Sequence, residues 1–124
     1  MDMKDNRKLK RYTIKLKVFD QDNGKMLGYI EDISINGMNV KSTDRFPDMQ
    51  ELKVWFGADD GSESEKIELT VIKVWDAFTD TIPRLYNTGL HFISPSEQAL
   101  DLLQKLIYEL RGDFVSQWEE STFA

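Results

Sequence analysis

Arg7 and Arg11 stand four residues apart in the run Arg7-Lys8-Leu9-Lys10-Arg11. Asp32, Ser34 and Gly37 share the stretch Asp32-Ile33-Ser34-Ile35-Asn36-Gly37. A guanidinium carries planar, permanently charged donors that pair bidentately with a phosphate or with the O6/N7 edge of a guanine. In an extended arm, at ~3.3 Å per residue, the two arginines lie about 13 Å apart at Cα and reach opposite sides of a nucleotide-sized ligand. In a turned arm both close on one phosphate. A carboxylate only accepts hydrogen bonds, so Asp32 suits the N1–H and N2–H2 edge of guanine, while the Ser34 hydroxyl either donates or accepts. Gly37 permits left-handed backbone and lets a ligand come close. Each stretch alone also has a plainer explanation. A basic run serves as a solvated tail, and Asp, Ser, Asn and Gly are the residues of ordinary turns.

The charge setting gives the arginines more weight. From Lys4 to Lys17 the chain places Lys4, Arg7, Lys8, Lys10, Arg11, Lys15 and Lys17 against a single acid, Asp5, yet its formal net charge is -6. Positive charge concentrated in one arm of an acidic protein points to an anion met locally. It argues against duplex nucleic acid, which relies on broad phosphate neutralisation.

Bulk composition removes other classes. Cysteine is absent, which excludes disulfides, thiolate metal sites and cysteine nucleophiles. A single histidine, His91, leaves a histidine metal site or a Ser-His-Asp triad without material. No apolar run approaches the roughly 18 residues of a membrane span, and the charged N-terminus lacks the apolar core of a secretory signal. The expectation is one soluble, cytoplasmic domain of 124 residues that is not an enzyme, holds no metal and does not insert in a membrane.

The elements that position these residues follow from periodicity. Residues 1–10 have little apolar content and read as a flexible basic arm. Tyr12, Ile14, Leu16 and Val18 alternate as in a half-buried strand. Asp20 to Gly24 is a turn. A second strand is expected over 25–33, a tight reversal at Ser34–Gly37, and a third strand over 37–41. Further strands are expected over 51–57, 66–77 and 84–93, with an exposed acidic hairpin loop at 58–65. Ile72, Val74 and Trp75 disturb the alternation of the fifth strand, as a bulge or burial on both faces would. Gly89 inside the last strand signals close approach or a bend. Ser94-Pro95-Ser96-Glu97 reads as a capping box with proline at the first helical position. Leu100, Leu103, Ile107, Leu110 and Phe114 then repeat at helical spacing. The division is an arm at 1–10, a mostly β barrel at 11–93 and a C-terminal helix at 94–120. The part beyond Gly112, with Phe114, Val115, Trp118 and Phe123, either packs on the barrel or binds a partner or a second copy, making a homo-oligomer.

Other conspicuous residues read as structural. His91 is a strand-face histidine, Trp55 and Trp75 are core or rim residues with base stacking as the alternative, and Asp59, Asp60, Glu63 and Glu65 lack the spacing of a calcium loop.

An RxxxR motif before the first strand and a DxSxxG motif after the second, here Arg7 to Arg11 and Asp32 to Gly37, resemble the PilZ domain family. Gly89-Leu90-His91-Phe92 is similar to the family's late strand, which ends in a glycine and an aromatic, and the resemblance covers about residues 7–110. It implies a six-stranded antiparallel β-barrel with a C-terminal α-helix that binds cyclic di-GMP, a bacterial second messenger. It further implies that Arg7 and Arg11 grip phosphates and guanine edges, that Asp32 and Ser34 hold a guanine, and that Gly37 lets the loop lie against the ligand. Two positions depart from the pattern. Asn36 stands where the family often has glycine, and Asn6 where some members have another arginine. Both are additional candidate contacts, and Asn6 bears on whether one ligand or a stacked pair binds. The functional expectation is a cyclic di-GMP effector that orders its arm on the ligand and signals to an unidentified protein partner in motility, biofilm or polysaccharide control. The alternatives are a nucleotide-free interaction module of the same fold and a small barrel binding single-stranded nucleic acid.

Overall fold

Antiparallel strands satisfy every backbone donor and acceptor without an exposed edge only when the sheet closes on itself. This chain adopts that arrangement in a computed structural model that describes residues 12–57 and 66–123, with side chains at 16–57 and 66–110. The strands are β1 (Tyr12–Asp20), β2 (Met26–Ile33), β3 (Gly37–Ser42), β4 (Leu52–Phe56), β5 (Ile67–Phe78) and β6 (Tyr86–Ile93), followed by helix α1 (Glu97–Phe123). They close in the order β1-β2-β3-β6-β5-β4, all neighbours antiparallel. The seam between β4 and β1 pairs Phe19 with Trp55, whose rings stack 4.6 Å apart, and Lys66 Nζ sits 4.4 Å from the Trp55 ring centroid.

Inward residues from every strand form one core. Val18, Ile30, Ile33, Met38, Val40, Val54, Phe56, Ile67, Leu69, Val71, Leu90 and Phe92 are buried together, with Phe46 from the β3–β4 connection. The helix adds Ala99 and Leu103, with Leu102, Leu106, Ile107 and Leu110 packed partly buried against the cluster. The buried stripe thus begins at Ala99, where the sequence pattern began it at Leu100. The helix cap also sits two residues later than the sequence pattern placed it. Ser96 Oγ accepts the Ala99 N–H at 3.0 Å and the Ser96 carbonyl accepts the Leu100 N–H at 2.9 Å, so Ser96 is the N-cap and Pro95 lies outside the helix. Ser94, at φ 41°, turns the chain from β6 into this cap.

Bulges break the inside–outside alternation at several points, and two of them bear on Asp32 and Trp75. In β2, Gly28 and Ile30 are buried, then Ile33; the register against β3 slips between Ile30 and Asp32, leaving Glu31 as the extra residue. In β5, Ile67, Leu69 and Val71 are buried, and Lys73 follows them inward with its side chain 6% exposed. The register against β6 then slips between Lys73 and Trp75, leaving Val74 extra and exposed. Two residues opposing one reverse the parity of everything beyond. Asp32 and Trp75 therefore lie on the outside of the barrel, where unbroken alternation would have turned both inward. Of the two explanations the sequence left open at residues 72–75, the bulge is the right one.

The barrel end away from the Ser34–Gly37 loop is held by a polar cluster. Lys73 Nζ donates to the Phe46 carbonyl at 3.0 Å and to Asp76 Oδ2 at 2.8 Å, and also pairs with Asp48. Arg45 Nε donates to the same Asp76 oxygen at 2.9 Å. The hydrogen bonds to Asp48 and Asp76 hold the Lys73 ammonium above its ordinary pKa, and the bond from Lys73 holds both carboxyls below theirs. The 43–51 connection is thereby tied to the inner side of the β5 bulge.

Candidate functional site

The second motif forms the connection between β2 and β3. The Ser34 N–H donates to the Gly37 carbonyl at 2.9 Å, and the Asn36 N–H donates to Ser34 Oγ at 3.3 Å. The Ser34 hydroxyl in turn donates to the Gly37 carbonyl at 3.4 Å. The Phe92 N–H donates to the Asn36 carbonyl at 3.0 Å, which docks the loop onto β6. Ser34 is buried, so its hydroxyl is committed to shaping the loop. Gly37 does not use left-handed freedom. A Cβ there would lie 2.3 Å from the Leu90 carbonyl oxygen, so glycine is required by the close passage of β6. Asn36 is exposed at the loop tip, and Asp32 sits half-buried on the outer face just before it.

Register extends the site sideways from Asp32. Asp32 is paired with Asn39 on β3, Asn39 with Gly89 on β6, and Gly89 with Trp75 on β5. Directly opposed residues share a face, so these four form one row across the outside of the barrel. Gly89 has no side chain to fill the row, and the Trp75 indole occupies that space. A Cβ on Gly89 would meet Trp75 Nε1 at 2.2 Å, Cε2 at 2.6 Å and Cδ1 at 2.7 Å. The close approach that Gly89 implies is thus made by the indole of Trp75, which remains 47% exposed. The row on one side of this one contains His91, paired with Gly37 and Ile72, and the row on the other contains Tyr29, Lys41 and Asn87. The surface so built has a carboxylate, a carboxamide and an aromatic plate in line, the chemistry needed to take the edge and face of a purine.

The structure brings Asp32, Ser34, Asn36 and Gly37 together in one hairpin. Asn6, Arg7 and Arg11 lie outside the described residues, as does the 58–65 loop. Tyr12 is paired with Ile33, so the chain enters the barrel next to the Asp32–Gly37 stretch. The register adds Asn39, which the sequence does not single out, and Trp75, which it reads as a core or rim residue with base stacking as the alternative. The signal for Trp75 was Gly89, whose partner only the register identifies. A separate cleft of about 500 Å³, lined by Met26, Leu27, Tyr29, Phe46, Leu52 and Leu85 among others, opens toward the other end and includes no motif residue. Among the described residues no group of three or more His, Cys, Asp or Glu side chains is placed to hold a metal ion, and no helix is long and apolar enough to cross a membrane.

Comparison with known proteins bears on the fold and the family. No curated protein matches the chain. Among solved structures, it superposes on the PilZ domain of YcgR from Escherichia coli, solved with c-di-GMP, with a TM-score of 0.66 at 12% identity, covering 91% of this chain and 97% of that one. It matches MrkH of K. pneumonia in its apo state with a TM-score of 0.71 at 13% identity over 94% of this chain and 55% of that one. It matches the Bacillus subtilis inhibitor of motility MotI/DgrA with a TM-score of 0.64 at 17% identity over 86% of this chain and 51% of that one. The chain thus spans about half the length of the latter two proteins, and these likenesses establish a shared fold. The profile of the PilZ domain matches residues 5–109, both motifs included, and the chain belongs to the PilZ domain family.

Proposed function

We propose that this protein is a cyclic di-GMP-binding effector, a ligand-sensing module rather than a catalyst, working in the bacterial cytoplasm. The observation that carries the reading is the outer-face row of Asp32, Asn39, Gly89 and Trp75, set beside the point where the arginine arm enters the barrel. In this reading Arg7 and Arg11 take the phosphates and a guanine edge, with Asn6 alongside, and Asp32 accepts from guanine N1–H and N2–H2. Trp75 offers its exposed face to a base. Ser34 and Gly37 act by fixing the loop that presents Asp32 and Asn36. The dianionic ligand suits a local basic clamp on an acidic protein. Ordering of the arm on the ligand, with greater affinity for the ordered state, then passes the signal to a protein partner in motility, biofilm or polysaccharide control.

Calorimetric titration tests this reading. The wild-type chain should bind cyclic di-GMP and neither GTP nor single-stranded RNA. Arg7→Ala and Arg11→Ala should each weaken binding by about 2 kcal/mol, roughly thirtyfold, as loss of a charge-assisted hydrogen bond predicts. Binding of RNA homopolymers with steep salt dependence would move the chain to single-stranded nucleic acid. A folded protein that binds none of these would be a nucleotide-free interaction module.

A further inference from the structure

Asn39 has a feature that its fold does not account for. Its Oδ1 is buried and finds no hydrogen-bond partner among the described residues. Only one other side-chain atom among them shares that condition, Thr88 Oγ1, which faces the barrel interior. Asn39 instead alternates with buried Met38 and Val40 and lies on the outer face. Leaving a buried acceptor unpaired is costly, and a leucine or valine would serve a strand position without that cost. Its neighbours in the row suggest what a carboxamide is for. On one side is the Asp32 carboxylate, on the other Gly89 with the Trp75 indole laid over it. Adjacent strands lie about 4.8 Å apart, so a planar ring resting on the indole brings its edge within reach of Asn39. A carboxamide both accepts and donates, which matches an edge carrying an N–H donor next to an acceptor, as guanine does at its second N2–H and N3 when Asp32 takes N1–H and the first N2–H.

The geometry points to Asn39 as a base-reading residue of the site, its carboxamide hydrogen-bonding a guanine edge between Asp32 and Trp75. This rests on the cyclic di-GMP reading above. Asn39→Leu removes an unpaired polar atom from the free protein and a bond from the complex, so its two effects have opposite signs. The variant should unfold in urea at the same concentration as wild type or a higher one, while its affinity for cyclic di-GMP falls about tenfold. A residue that merely supports the fold would lower both together, and that result overturns the proposal. Unchanged affinity in Asn39→Leu, with Arg7→Ala impaired, overturns the role of Asn39 alone and leaves the ligand assignment standing. Absence of cyclic di-GMP binding by the wild-type chain overturns both. If the leucine variant fails to fold, Asn39→Val, which suits a strand and is apolar, carries the same comparison.

Discussion

Gly89→Ala tests the Trp75 platform without touching the tryptophan. The new Cβ would lie 2.2 Å from Nε1 and 2.6 Å from Cε2 of Trp75, and its three nearest neighbours are all atoms of that indole. A side-chain obstacle can swing away where backbone could not, so the barrel should still fold with the indole displaced. Trp75 is 47% exposed, so about half of its surface is covered. A tryptophan buries roughly 150–250 Å², so that half is on the order of 100 Å². At about 25 cal/mol per Å² its exposure costs at most about 2.5 kcal/mol. Alanine returns roughly 0.5–1 kcal/mol by restricting the unfolded chain at a strand position. The expected net loss is therefore about 1.5–2 kcal/mol, read from urea unfolding. In a Trp75→Ala background the obstacle is gone, and Gly89→Ala should become neutral or slightly stabilising. The double-mutant cycle should thus show a coupling of about 2 kcal/mol. Base stacking contributes about 1–3 kcal/mol, so Gly89→Ala should also weaken cyclic di-GMP binding by roughly 5- to 150-fold. Equal destabilisation by Gly89→Ala with and without Trp75 would refute the packing described.

Two further outcomes follow from the fold. Gly37→Ala should be the harsher glycine substitution, because its Cβ would sit 2.3 Å from a backbone oxygen of Leu90 that cannot swing aside. A loss of about 3 kcal/mol in urea unfolding is expected from such overpacking, with no rescue by any change at Trp75. The Lys73 cluster should stabilise the protein across a bounded pH window. Asp48 and Asp76 have lowered pKa values, so their contribution is present above the ordinary carboxyl range and lost as pH falls through the depressed values. Lys73 is raised, so its contribution is present below its ordinary value and lost only as pH climbs through the raised one. The stability difference between wild type and Lys73→Met should be flat from about pH 5 to 9 and shrink on both sides. A difference that persists unchanged at pH 2 would contradict the assignment.

Much of the barrel is legible in the chain because each strand carries its own two-residue period. Met38 and Val40 against Asn39, or Val54 and Phe56 against Trp55, declare inside and outside locally. The reversal at Ser34–Gly37 is equally local, being built from short side chains that bond their own backbone. The last strand starts at Tyr86 rather than Arg84, because Arg84 still belongs to the connection that contains the cis Ile82–Pro83 bond and lies over Phe78. The helix cap was misplaced because two serines flank Pro95 and the Ser-x-x-Glu spacing favours the first. The backbone of Ser94, turned left-handed by the exit from β6, decides for the second. The site was half legible. Asp32 and Gly37 stand out by type, whereas Asn39 and Trp75 join the candidate row through the register of strands far apart in sequence, which no local pattern encodes.

The two bulges make the outer face insensitive to both residue identity and residue count at those points. Among the described residues Glu31 makes a loose ion pair, 3.9 Å from Lys41, and Val74 is largely solvated. A substitution scan would score both positions as tolerant. Deleting either residue joins Ile30 directly to Asp32, or Lys73 to Trp75, an inward residue next to an outward one, so the strand alternates regularly and both side chains keep facing out. The candidate face is thus robust to substitution and to loss of one residue at the two bulges, while a second deletion beside either one would turn Asp32 or Trp75 toward the core.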